Sequence, residues 1–146
     1  VVVIDCRGLG DPVGNRAIRR HLGTHLDAMK GFLKQRHETD RIQRLIAGRL
    51  YDSELRDPET IVSVVFVCKS GRHRSVGMAD FVQRCFNPKD RGPIVHLCTH
   101  EWGHLCARQC PDCRPENMKE DRCAALKELR EAFRRSSRTC RPRSTS

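Results

Sequence analysis

Cys68, Lys69, Ser70, Gly71, Arg72, His73, Arg74 and Ser75 follow directly on the most hydrophobic run of the chain. A thiol stands six residues before a guanidinium, with a glycine between them and a hydroxyl just after. The main-chain N–H groups of a tight loop that opens a helix point at one spot, and such a spot holds an oxyanion. Gly71 permits the turn and a close backbone approach. Arg74 can offer a two-pronged fork to two oxygens. Lys69, Arg72 and His73 add positive potential, and Ser75 can cap the helix or touch the thiolate or ligand. The same field lowers the pKa of Cys68. The pattern C-x2-G-x2-R-[ST] arises by chance in about one chain in a thousand of this size.

Cys68 and Arg74 also satisfy C-x5-R followed by Ser. In Cys-dependent phosphatases the thiolate of that pattern attacks phosphorus, the loop amides hold three oxygens and the Arg steadies the transition state. A general acid is then needed. Asp11, in a second glycine-rich loop, is the best candidate. Asp5 is nearer its strand and reads as structural, paired with an Arg. Arg7 is counted with the anion-binding residues.

A second constellation runs from Cys98 to Arg114. Cys110 and Cys113 have zinc-ligand spacing, and Cys106 stands four residues before them. The fourth ligand is open among His100, His104 and Cys98, with His100 favoured. Thiolate-rich sites select zinc over hard cations. A redox CxxC pair and free thiols are the competing readings. His100, Glu101 and His104 also match H-E-x-x-H, but Gly103 and the nearby thiols argue against a peptidase.

The elements that must position these groups follow from periodicity. Val1–Ile4 is a β-branched run typical of a strand covered on both faces. Asp5, Arg7, Gly8, Gly10, Asp11, Pro12 and Gly14 form the loop after it. Arg16, Arg19, Arg20 and His21 are basic; His21, His25 and His37 read as surface residues. Leu22, Leu26, Met29 and Leu33 make one helical stripe, and Ile42, Leu45 and Ile46 a second, with a break expected near His37–Asp40. Leu55–Thr60 reads as a turn. Ile61–Val67 reads as the central strand, buried on both faces. Val76, Ala79, Val82, Cys85 and Phe86 mark the helix after the loop. Ile94–Cys98 reads as a third strand, and about 119–134 as a last helix. Cys6, Cys85 and Cys123 read as interior, Cys140 as an exposed thiol. The alternation predicts an α/β fold, a small three-layer sandwich with a mainly parallel sheet and a phosphate-binding loop after the central strand. Both glycine-rich loops then lie at the C-terminal edge of the sheet.

The chain has 146 residues and a formal net charge of +10, with a sequence pI of about 9.6. The length fits one domain, 1–135, with a zinc-type segment at 98–115 and a basic flexible tail at 136–146. The charge favours RNA or a phosphorylated small molecule as partner. Five Phe, one Trp and one Tyr are few for a protein that stacks on bases, so phosphate contacts should dominate. Nine Cys residues, an odd number unevenly spaced, fit an intracellular, reducing compartment (cytoplasmic or nuclear) better than a disulfide scaffold. No apolar run is long enough to cross a membrane. The abrupt strand-like start reads as that of a trimmed or excised domain.

The stretch Cys68, Gly71, His73, Arg74, Ser75 and Val76 resembles the C-x-x-G-x-H-R-S-V signature of the C-terminal domain of the RapZ family, the bacterial RNase adaptor proteins. The opening is similar too: Asp5, Arg7, Leu9 and Pro12 stand in the family's D-x-R-x-L/G-x-x-P, and Asp11 takes the place of its Asn. The helix with Phe81 and Phe86 and the segment leading to His96 and His100 extend the likeness over most of residues 1–100. The resemblance implies a domain that binds a structured small RNA and an amino-sugar phosphate, hands the RNA to a nuclease, and self-associates. The family's N-terminal nucleotide-binding domain has no counterpart here, and the Cys-rich segment departs from the bacterial pattern.

Overall fold

A computed structural model describes residues 1–11, 16, 18–57, 59–85, 92–103, 106, 124, 127 and 131. Two strands, β1 (Val2–Asp5) and β2 (Val64–Val67), pair in parallel, with Val2 opposite Val64 and Asp5 opposite Val67. Parallel pairing needs a long crossover. Helices α1 (Leu26–Lys34) and α2 (Arg36–Arg56) supply it. Helix α3 (Arg74–Cys85) follows β2, and a three-ten turn spans Thr99–Trp102. The described residues thus form a small α/β fold on a two-stranded parallel sheet, with both post-strand loops at one edge. No helix among the described residues is long and apolar enough to cross a membrane.

Side chains alternate along β1, so Ile4 and Cys6 share one face. They pack with Leu9, Ile42 and Ile46 and with Met78, Phe81 and Val82 of α3; Phe66 and Cys68 of the second strand segment join them. Helices α2 and α3 therefore cover the same side of the sheet. The opposite side shows Val3, Val65 and Val67, with Val3 65% exposed. Strands buried on both faces are not seen among the described residues, which show helices on one side of the sheet. Ile61, 91% exposed, lies before the strand and not in it. The Ile94–Cys98 segment forms no strand: it makes no ladder to β1 or β2 among the described residues, and Cys98 instead lies against Gly71.

The helix break falls at Gln35, earlier than the polar stretch suggested. Gln35 leaves helical geometry (φ −98°, ψ 55°), donates through Nε2 to the Gly31 carbonyl, and accepts the Gly10 N–H on Oε1. One side chain thereby ends α1 and ties it to the loop after β1. Helix α2 runs on through Gly48 to Arg56, beyond the expected turn at Leu55, and stops at Asp57, whose extended backbone is what a following proline imposes. His25 is buried and not a surface residue; its carbonyl accepts the Met29 N–H in the first turn of α1.

Asp5 pairs with Arg7 as the sequence suggested, through contacts of 3.0 and 2.9 Å to Nε. The Arg7 hydrogen bonds, side chain then main chain, hold the Asp5 carboxyl down to about 2. A carboxylate depressed on folding contributes stability above its ordinary range, near 3.8, that is lost as pH falls through about 2. Glu38, bonded to Arg41 Nε at 2.9 Å, is shifted the same way. The thermal midpoint should therefore fall between pH 4 and 2, and Asp5→Asn should flatten that fall. An unchanged acid limb in the variant would remove Asp5 from the account.

Candidate anion-binding site

Strand β2 delivers the loop at Cys68 and α3 leaves it at Arg74. Gly71 adopts φ +59°, a left-handed conformation that side chains resist. A Cβ there would also meet the Cys98 side chain at 2.8 and 2.9 Å. Trp102 Nε1 donates to the Gly71 carbonyl at 3.3 Å, seating the three-ten turn over the loop. The loop is held from a second side by Gly23. Its N–H donates to the Arg72 carbonyl at 3.1 Å, and its Cα lies so close that a Cβ would fall 1.7 Å from the His73 carbonyl oxygen. That oxygen accepts the Gly77 N–H at 2.8 Å, the first bond of α3.

The Cys68 sulfur is 3.1 Å from the Ser75 hydroxyl. Burial works against an anion here. The Ser75 hydroxyl and the main-chain N–H groups of Ser75, Ser70 and Gly71 outweigh it, and the thiol is held below its ordinary range. The main-chain N–H groups of Ser70 and Gly71 in the loop and of Ser75 in the first turn of α3 thus face the Cys68 sulfur. Iodoacetamide should label Cys68 with a half-maximal rate below pH 9.0, its ordinary value. Ser75→Ala should move that midpoint upward. Equal midpoints in the two proteins would mean that the hydroxyl does not hold the thiolate.

Arg74 is buried and tied to the other loop. Its Nη1 donates to the carbonyls of Arg7 and Leu9 at 3.0 and 3.1 Å, and its Nη2 lies 3.3 Å from Asp11 Oδ2. This joins the two glycine-rich loops and differs from the free two-pronged fork expected from the sequence. Asp11 is brought to the site as its counter-ion. Arg7 contributes its carbonyl, while its guanidinium pairs with Asp5. His73 is 2% exposed, and neither ring nitrogen has a well-formed hydrogen bond. Burial chiefly, with Arg72 and Arg74 nearby, pushes its pKa down; Asp11 and the His21 main chain oppose. Lys69, Ser70 and Arg72 lie on the loop as expected.

Of the zinc-type residues, His104, Cys110 and Cys113 lie outside the described residues, as do all of 107–115 and nearly all of the expected last helix and tail. His100 is exposed in the three-ten turn. Cys106 donates its N–H to the Arg20 carbonyl at 3.1 Å, and its sulfur lies 3.3 Å from His21 Nδ1. Among the described residues no three His, Cys, Asp or Glu side chains gather as a metal would require. Gly23 is a residue that the sequence did not single out, and His21, read as a surface residue, is half-buried beside Cys106.

The model of the RapZ C-terminal domain matches residues 1–100, which hold β1, β2, α1, α2, α3 and the Cys68–Ser75 loop. Comparison with curated proteins gives no match, and neither does comparison with solved structures. With a match over two thirds of its length, the chain belongs to the RapZ C-terminal domain family.

Proposed function

We propose that the domain binds a phosphoryl group, carried by RNA or by a phosphorylated small molecule, at the Cys68–Ser75 loop. The observation that carries this is the turn through Gly71, φ +59°, between β2 and α3, which brings the Ser75 hydroxyl to 3.1 Å from the Cys68 sulfur with the Ser70, Gly71 and Ser75 amides beside it. Those amides already favour negative charge there, at no reorganisation cost. The Nη2 bond of Arg74 to the exposed Asp11 is the one an incoming oxyanion can take over, leaving Nη1 on its two carbonyls. Exposed Arg16, Arg19 and Arg20 and the overall charge of +10 favour a polyanion, and the family supports RNA-related binding.

Calorimetric titration of inorganic phosphate into the full chain tests the site. A phosphorylated RNA hairpin tests the larger ligand. Phosphate binding with RNA affinity that falls steeply with salt is the expected result. No phosphate binding, with RNA affinity flat in salt, would refute it.

The depressed Cys68 thiol supports a second reading, a Cys-dependent phosphatase in which Cys68 attacks phosphorus and Asp11 serves as acid. Turnover of an aryl phosphate that Cys68→Ser abolishes, with phosphate binding kept, would favour it over the first.

Zinc at Cys106, Cys110 and Cys113, in a reducing compartment, is the proposed stabiliser of the Cys-rich segment, with His100 or His21 as fourth ligand. Support for His21 is its distance from Cys106. A tetrahedral zinc with Zn–S and Zn–N bonds of about 2.3 and 2.0 Å sets its S and N ligands roughly 3.5 Å apart. Metal analysis should find zinc in the wild type and in His100→Gln but not in His21→Gln. The reverse pattern would return the role to His100.

A further inference from the structure

Cys6 and Cys68 stand at the ends of the two paired strands. The register puts Asp5 opposite Val67, and the Cys6 N–H donates to the Val67 carbonyl at 2.8 Å. In a parallel ladder that bond belongs to the next pair, Cys6 opposite Cys68. Both side chains face the core, Cys6 in step with Ile4 and Cys68 in step with Phe66, and both belong to one apolar cluster. Paired strands lie about 4.8 Å apart, and a disulfide joins Cα atoms about 4.4–6.8 Å apart. Bringing the Cβ atoms to about 3.8 Å asks for a small shift where both strands run into loops. Both thiols are free.

Their surroundings differ. Cys6 is wholly buried, and burial, with the neighbouring Cys68, pushes its pKa up to about 12. Cys68 is half-buried beside the Ser75 hydroxyl and the loop amides. One thiol is reachable and poised to ionise; the other waits behind it. That is the arrangement of a peroxide-sensing thiol with its resolving partner.

We infer that Cys68 is a modification site for hydroperoxides and that Cys6 is its resolving cysteine, the two forming a reversible disulfide across the ends of β1 and β2. In the first step the Cys68 thiolate attacks one peroxide oxygen. The O–O bond breaks, the leaving hydroxide takes up a proton as water, and Cys68 becomes a sulfenic acid. In the second, the Cys6 sulfur attacks the Cys68 sulfur. The S–O bond breaks, and the departing hydroxide takes the Cys6 proton. Two thiols and one hydrogen peroxide give one disulfide and two waters. The bond draws the Cys68 sulfur away from Ser75 and withdraws the thiolate from the loop. Its effect on ligand binding rests on the anion-site reading; the bond itself does not.

The experiment treats the reduced full chain with hydrogen peroxide and maps the tryptic peptides. The expected product is 2 Da lighter and links the peptides 1–7 and 57–69, which carry Cys6 and Cys68. Dithiothreitol should reverse it. Cys6→Ala should stop at the Cys68 sulfenic acid, trapped by dimedone, whereas Cys98→Ala should leave the link intact. If Cys6→Ala does not fold, the link surviving in Cys98→Ala still decides the pairing. A link from Cys68 to Cys98, or a Cys68 that over-oxidises with no link, would overturn the proposal. Phosphate titration of reduced and oxidised protein reads the consequence, with an expected loss of about tenfold or more on oxidation. If the reduced protein binds no phosphate, the anion-site reading fails while the mapped link stands. If the link forms and affinity is unchanged, the disulfide does not govern the site and that part of the proposal is lost.

Discussion

Gly23→Ala should be among the most damaging single-methyl additions to this chain. The added Cβ would fall 1.7 Å from the His73 carbonyl oxygen and 2.7 Å from the Gly77 nitrogen. Both are main-chain atoms at the start of α3, so no rotamer change relieves the clash. The 22–24 segment has to lift away. That breaks the Gly23 N–H bond to the Arg72 carbonyl and opens the contact between Leu22 and Val76. A loss of about 3 kcal/mol or more is expected, from overpacking together with a broken buried hydrogen bond. Phosphate binding should go with it, because the loop's amides lose their backing. Gly48 is the control: a Cβ there meets nothing within 4 Å, and it lies inside α2. Gly48→Ala should raise stability by about 0.5–1 kcal/mol. Urea unfolding followed by circular dichroism reads both. Equal midpoints for the two variants would mean that the close approach of the 22–24 segment to the anion loop does not exist in solution.

That approach was not legible in the sequence, and its distance along the chain says why. Gly23 meets His73 fifty positions away, and His21 meets Cys106 across 85. Periodicity and motif spacing report only neighbours within a turn or a strand. The loop itself was readable because a strand, a glycine able to take positive φ and a helix start lie in one short stretch. Parallel pairing of the strands was readable from the helices between them, and with it the meeting of Asp11 and Arg74 at one edge. The strands' burial was misread. An apolar β-branched run records that a face is costly to hydrate, not that anything covers it, and Val3 and Val65 are bare among the described residues. The third strand failed for a related reason: extended, alternating residues such as Ile94–Cys98 need an edge to pair with, and the sequence does not say where that edge is.

Arg74→Ala should cost both stability and ligand binding, and Asp11→Asn should separate the two. Arg74 is nine-tenths buried and donates to the Arg7 and Leu9 carbonyls from one nitrogen while facing Asp11 from the other. Truncation leaves two carbonyls without their donor and one carboxylate without its counter-ion. About 3 kcal/mol of destabilisation is expected from the loss of charge-assisted bonds at a buried site. Arg74→Lys keeps the charge but not the planar fork that reaches both loops at once, so it should recover only part of the loss. A fall in phosphate affinity in these variants alone would be ambiguous, since a loosened loop also binds poorly. Asp11→Asn leaves Arg74's bonds to the two carbonyls in place and removes only the anion facing Nη2. If Asp11 holds the place an oxyanion takes, the asparagine variant should bind phosphate at least as tightly as the wild type, with little change in the unfolding midpoint. Weaker binding by Asp11→Asn at unchanged stability would mean that Asp11 acts with the ligand and not in its stead, and the exchange at Arg74 would have to be abandoned.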